Sequence, residues 1–294
     1  MNLLRSIIMK KTAIALAIAL GALSGSASAL ALYPHTGLED DNLDFFLLDN
    51  DSDGNLDVGD QLFAVAEFGK VFDLSPGGTA FQNTPSYGEL TAVSAIQVVT
   101  KTATSNPAKF DYTFGPTAAF QATYGTGAML ALFLDSTPDL QIVPPNCISL
   151  ANCTALATDS TTGLPWAVLS KLDLDDEWIA TDANEFVAGV GGLAASTKVG
   201  AFNFALTMST NNTGYKLAPF ALDCSPAGIF TCAGDGITDT VGSGDLLGGR
   251  GLTNGASARS DTDIEFKTIP EPATLGLLGL GLVGLAGLRR RKSI

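Results

Sequence analysis

Apolar and polar residues alternate with a period of two along much of this chain. In "SDTDIEFKTI", Asp261, Asp263 and Glu265 fall on one face and Thr262, Ile264 and Phe266 on the other, the pattern of a half-buried strand. "SAIQVVTKTA" alternates in the same way and is rich in β-branched residues. "FDYTFG", "MLALFLD", "PWAVLSKLDLD" and "AFNFALTMST" are short aliphatic or aromatic runs of strand length and composition. Clusters of Gly, Asn, Pro and Ser punctuate them: "SPGG", "SNP", "STPD", "NNTG" and "GSGD", which read as turns. No long amphipathic helix interrupts the series, although "DANEFVAGVGGLAAS" has room for a short one. No internal repeat or second domain is visible. Many short strands over about 240 residues predict an all-β body, a β-sandwich of jelly-roll type.

The two ends follow different rules. Met9, Lys10 and Lys11 give a basic start, Thr12 to Leu23 is apolar, and Ala27-Ser28-Ala29 has the small-x-small form. That order is a secretory signal peptide over residues 1–29, cut after Ala29, and Met9 is a second candidate start. The chain closes with "IPEPATLGLLGLGLVGLAGLRRRKSI". The 16 residues Ala273–Leu288 would make a helix of about 24 Å, against a bilayer core of about 30 Å. Its glycines weaken the helix further, so the span is marginal and suits a temporary hold. The basic end, residues 289–292, stays cytoplasmic by the positive-inside rule, which leaves the body outside. Pro270 and Pro272 keep the segment before the span extended, in a form that a protease can grip. Three segments result: signal peptide 1–29, exported body 30–268, and tail 269–294.

Removing the ends sharpens the charge. The chain has 16 basic and 30 acidic residues; three of the bases lie in the signal peptide and four in the tail, and all the acids lie between Glu39 and Glu271. So acidic a body repels nucleic-acid phosphate and anionic lipid and suits a protein that meets divalent cations or one that must simply stay soluble. The four cysteines, Cys147, Cys153, Cys224 and Cys232, are even in number and, after export, oxidised. Of three pairings, Cys147–Cys153 and Cys224–Cys232 are the local ones and are preferred. Zinc is disfavoured, because neither pair has C-x-x-C spacing.

Pro270-Glu271-Pro272, a short Gly/Leu helix and the cluster Arg289, Arg290, Arg291 resemble the PEP-CTERM sorting signal. The resemblance covers about 25 residues. It implies a Gram-negative bacterium, passage through the inner membrane, transient anchoring there, and removal of the tail by a membrane cysteine protease, exosortase. The destination is the cell surface or extracellular matrix, often with extracellular polysaccharide in biofilm or floc. The same tail carries the label "ice-binding protein C-terminal domain", which says nothing of what the body binds. "FGPTAAFQATYGTGAMLALFLDSTPD", "KVGAFNFALTMSTNNTG" and "GDGITDTVGSGDLLG" are similar to exported PEP-CTERM proteins of uncharacterised function, and imply no activity.

Within the body the sharpest motif is "DNDSDGNLDVGD". Asp49, Asp51 and Asp53 hold loop positions 1, 3 and 5, and Gly54 holds position 6, where the chain must turn. The carbonyl of Asn55 holds position 7, Asp57 position 9 and Asp60 position 12. This spacing wraps hard oxygen ligands around one Ca²⁺ and resembles an EF-hand or dockerin loop. Asp60 stands where an EF-hand has the longer Glu, which weakens bidentate closure, and no second loop completes a dockerin. A structural Ca²⁺ in an N-terminal EF-hand-like loop is the expectation.

Other acidic groups are less specific. Asp173, Asp175, Asp176 and Glu177 in "KLDLDDEW" suggest a paired-carboxylate glycosidase or a polar loop. Asp235, Asp239 and Asp245 lie in a Gly-rich stretch read as a turn. His35 is the only histidine and sits where a terminus frays, which disfavours a Ser-His-Asp triad. No phosphate loop, nucleophile elbow or basic patch is present. The expected function is therefore a non-enzymatic surface or matrix protein. The alternatives are a glycan-active hydrolase and a carbohydrate-binding module that uses Trp166, Trp178, Tyr87, Tyr112 or Tyr124 as a platform.

Overall fold

The computed structural model of the chain describes residues 30, 32–83, 89–135, 164–184, 197–225, 228–250 and 256–269. The expected signal peptide, Tyr87, Cys147, Cys153, most of the 182–196 stretch where a short helix is expected, and the tail from Pro270 lie outside them. Apart from Leu30, the described residues belong to one unit, Leu32–Ile294.

That unit is built from β1 (His35–Leu48), β2 (Gln61–Glu67), β3 (Lys70–Asp73), β4 (Phe81–Asn83), β5 (Glu89–Ala103), β6 (Lys109–Pro116), α1 (Ala118–Tyr124), β7 (Ala128–Asp135), β8 (Ala167–Ser170) and β9 (Glu177–Asn184). It continues with β10 (Lys198–Asn211), β11 (Leu217–Ala218), β12 (Phe220–Ala221), β13 (Ile237–Thr238), β14 (Thr240–Leu247) and β15 (Ala258–Thr268). The all-β expectation holds. Its arrangement differs from two stacked sheets, because the antiparallel pairings close on themselves. β1 pairs with β2 and with β15, β2 with β5, and β10 with β14, which pairs with β15. Two lanes link β5 to β10: β7 and β8 at one end, β6 and β9 at the other. The length of β5 and β10 explains this, since each is long enough to serve two partners in succession. Thr91 pairs with Phe133 of β7, whereas Thr102 pairs with Asp111 of β6.

Alternation decides what faces inward. Phe45, Leu62, Ile96, Tyr112, Trp178, Phe202 and Leu246 meet inside the ring. Trp178 packs 4.8 Å from Phe204, and Phe45 meets Phe202 edge-on at 6.1 Å, favourable aromatic geometries. Phe46, Phe63, Val65, Val93, Phe133 and Val168 form a second cluster with Phe120 of α1. Leu62 to Ala66 are consequently all buried, which is why β2 reads as an unbroken apolar run. The Thr117 hydroxyl caps α1 by accepting from Phe120 N–H at 3.3 Å, and Gly125, with φ +103°, ends it.

Candidate functional site

The loop joining β1 to β2 is held by its own carboxylates. Asp49 accepts from the N–H groups of Asp51 (3.1 Å), Ser52 (2.6 Å) and Gly54 (2.7 Å). Asp53 accepts from Asn55 N–H at 2.7 Å and from its side-chain amide at 3.0 Å. Gly54 turns the chain with φ +86°, a conformation that glycine adopts without a Cβ penalty. Carboxylate oxygens of Asp49, Asp51 and Asp53 lie within 4.8 Å of one another, close enough for one cation to touch all three. The Gly54 amide leads the contacts that hold the Asp49 carboxyl below its ordinary range. At Asp51 the Asp53 amide pulls down, but the hydrogen bond to Asp49, burial and the charges of both neighbours outweigh it and raise the carboxyl.

The other expected ligands have different partners. Asp60 is buried and accepts from the N–H groups of Asn50 (2.9 Å) and Asp57 (2.8 Å). Its carbonyl accepts from Val98 N–H at 2.9 Å, which fastens the loop to β5. The Asp57 carboxylate pairs with Lys101 at 2.9 Å. Asn55 donates its N–H and its side-chain amide to Asp53, which holds the residue in place without engaging the carbonyl expected as a ligand. Six residues of the spacing thus separate into an open cluster of three acids and a frame that positions it. The cluster fits a hard divalent cation, since all its donors are oxygens.

The second acidic group is a fastening. Asp175 and Asp176 are both buried. Asp175 accepts from Gly234 N–H and, at 2.6 Å, from Gly236 N–H. Burial raises this carboxyl, but those amides outweigh burial and hold it low. Asp176 accepts from the N–H groups of Leu172 (2.7 Å) and Asp173 (3.1 Å) and from the Thr207 hydroxyl (3.1 Å); burial dominates there and pushes it up. Asp173 caps the turn by accepting from Asp175 and Asp176, and Glu177 accepts from Thr231. Glu177 grips the end of the loop that the Cys224–Cys232 disulfide closes, the pairing expected from the sequence, and Asp175 grips the residues just past it.

Other candidates are dispersed. Asp239 accepts from Met208 N–H at 2.9 Å and Asp245 pairs with Lys198, so these two do not share a site. Trp166, Trp178 and Tyr112 are buried, and Tyr124 packs against Phe120 and Phe133. None of these four is an exposed platform. His35 opens β1 opposite Lys267 rather than fraying, and its Nε2 meets Glu265 at 2.7 Å.

β15 ends beside β11. Thr268 N–H donates to Pro34 O at 2.9 Å, its hydroxyl to Tyr33 O at 3.0 Å, and Ile269 N–H to Lys216 O at 2.8 Å. Residues 268–292, which begin with that bonded pair, match the PEP-CTERM protein-sorting motif. The chain carries a PEP-CTERM sorting signal. A PEP-CTERM signal implies export, transient membrane anchoring, processing by an exosortase-type protease at the membrane, and then a surface or extracellular location. Its proline and arginine positions, Pro270 to Pro272 and Arg289 to Arg291, lie outside the described residues. Among the described residues no helix is long and apolar enough to cross a membrane. No curated protein and no solved structure matches the chain.

Proposed function

We propose that this PEP-CTERM protein is a non-enzymatic component of the cell surface or extracellular matrix, stabilised by Ca²⁺ at Asp49, Asp51 and Asp53. The observation that carries the reading is the join between a sorting motif on residues 268–292 and a closed ring of strands. Support for a non-enzymatic body comes from its carboxylates. Those a glycosidase would need, Asp175 and Glu177, accept hydrogen bonds from a neighbouring segment, and a carboxylate engaged in holding the fold is a poor acid or base. Among the described residues, Asp49, Asp51 and Asp53 are the acids whose carboxylate oxygens gather closely enough for one cation. Its Ca²⁺ rigidifies the β1–β2 loop and offers a bridge to acidic extracellular polysaccharide.

Cell fractionation tests the sorting half. The full chain, expressed in an exosortase-bearing cell, is expected in the surface or matrix fraction without its tail. Pro270→Ala with Pro272→Ala leaves it full-length in the membrane. A full-length wild-type protein in the cytosol overturns the reading. Hydrolysis of a glycan by the purified body, lost in Asp175→Asn and Glu177→Gln, overturns the non-enzymatic half.

A further inference from the structure

The sorting segment and the fold overlap. The matched motif starts at Thr268, the last residue of β15, and Ile269 alone separates that strand from Pro270. Both edges of this strand end are in use. On one side Leu217 and Ala218 of β11 pair with Thr268 and Lys267, and Lys216 O takes Ile269 N–H. On the other side Pro34 O takes Thr268 N–H and Tyr33 O takes its hydroxyl. Tyr33 and Pro34 lie just past the expected signal-peptide cut after Ala29, so the residues beside the two processing junctions are bonded to each other.

An enzyme that recognises an extended peptide uses the peptide's free main-chain N–H and C=O groups. Each residue of such a peptide spans only about 3.3 Å, so a protease gripping Pro270 to Pro272 and a few residues before them reaches into β15. Those residues are already hydrogen-bonded on both sides. We infer that tail removal is gated by local opening of the β11–β15–β1 end, so that the closed ring withholds the residues upstream of the cut. The inference rests on the sorting reading. In the reaction one peptide bond breaks, the body's new acyl end passes to the protease thiol, and the tail leaves as an amine. Water or an acceptor amine then takes the acyl group. The strands set how often the substrate is presented and leave that chemistry unchanged.

When opening and reclosing are fast, cleavage follows the population of the open form. Two full-length variants alter that population or remove its importance while keeping residues 270–292 unchanged. Ala218→Pro removes a donor from the outer edge of β15; antiparallel alternation places that N–H on Lys267 O. Losing one such bond is expected to speed tail removal about twofold to tenfold. A six-residue Gly/Ser insertion between Ile269 and Pro270 leaves every strand bond in place and adds about 20 Å of free chain; it is expected to speed removal at least as much. The readout is pulse-chase conversion of full-length to tail-less protein in exosortase-bearing cells, with melting of the purified bodies to show that each variant folds. Faster conversion of both variants supports the gate. Conversion of all three proteins at one rate, or slower conversion of the insertion variant, overturns it while leaving the sorting reading intact. Failure of the wild type to lose its tail overturns the sorting reading and the gate together.

Discussion

Glu177, the first residue of β9, accepts hydrogen bonds from both the backbone N–H of Thr231, at 2.9 Å, and its hydroxyl. With Asp175 on Gly234 and Gly236, it clamps the end of the Cys224–Cys232 loop and the residues just past it against the turn between β8 and β9. The clamp holds the chain on either side of Cys232, where the disulfide also holds it. Replacing Cys224 and Cys232 together by Ser in the oxidised protein is expected to cost about 2–3 kcal/mol, the loop-closure entropy of a short ring. Asp175→Ala is expected to speed hydrogen exchange at the Gly234 and Gly236 amides while exchange in the β1–β15 pairing stays slow. Unchanged exchange at both glycines would remove the clamp from the account.

Neighbouring Asp175 and Asp176 should oppose each other in acid. Asp175 is held below the ordinary aspartate value of 3.8. Its charged form is therefore favoured by folding, and its contribution is full above that value and fades as pH falls through the lower folded one. Asp176 is raised above 3.8. Folding favours its protonated form, so its contribution is present in acid and is lost as pH rises through the raised value. Urea melts of Asp175→Asn and Asp176→Asn from pH 2.5 to 7 check the signs. The wild-type advantage over Asp175→Asn is expected to shrink towards acid, and the advantage over Asp176→Asn to shrink towards neutrality. The same trend in both variants would contradict the assignment.

Gly242 and Gly244 make room for the core. They lie opposite Phe204 and Phe202 in the β10–β14 register. A Cβ at Gly242 would come 2.1 Å from the Phe204 ring, and one at Gly244 2.6 Å from the Phe202 ring and 2.2 Å from Asp261 O. A backbone carbonyl cannot rotate aside as a side chain does. Gly244→Ala is expected to cost about 1–3 kcal/mol by overpacking, read as a lower urea midpoint. Gly54→Ala meets nothing within 4 Å, and its φ of +86° alone sets a cost of about 1 kcal/mol.

These glycines show where the sequence was legible. The alternation of Asp261, Ile264, Glu265 and Phe266 gave β15 its buried and exposed faces directly. "GSGD" reads as a turn because glycine is a turn residue, yet it lies within β14. The rings that occupy its missing side-chain space come from β10, some 40 residues earlier in sequence, and no local pattern carries that contact. Helix α1 is similarly hidden, since seven residues are too few for a clear amphipathic period. Thr117 and Gly125 at its ends were the available signal. In the Asp-rich loop between β1 and β2, spacing located the acids but not their partners. Asp57 and Asp60 qualify by position, and only β5, through Lys101 and Val98, shows what else they bind.

That division of labour yields the prediction for the metal. If Asp49, Asp51 and Asp53 supply the charged ligands and Asp60 the frame, the two groups should fail differently. Extracellular sites of this type bind Ca²⁺ with dissociation constants of about 10⁻⁴ to 10⁻³ M. At about 10 mM Ca²⁺ the melting temperature of the purified body should then rise by roughly 3–8 °C. Magnesium should give a smaller rise, because it demands tight octahedral geometry and sheds water reluctantly. Asp49→Asn with Asp53→Asn keeps the size of each side chain but removes two charges, so it should abolish the Ca²⁺ response. Asp60→Asn puts an amide where two backbone N–H groups need acceptors, so it should lower the melt without Ca²⁺ and leave a residual response. A wild-type melt identical in Ca²⁺ and in EDTA would remove the metal. A response lost only in Asp60→Asn would place the ion on the frame instead.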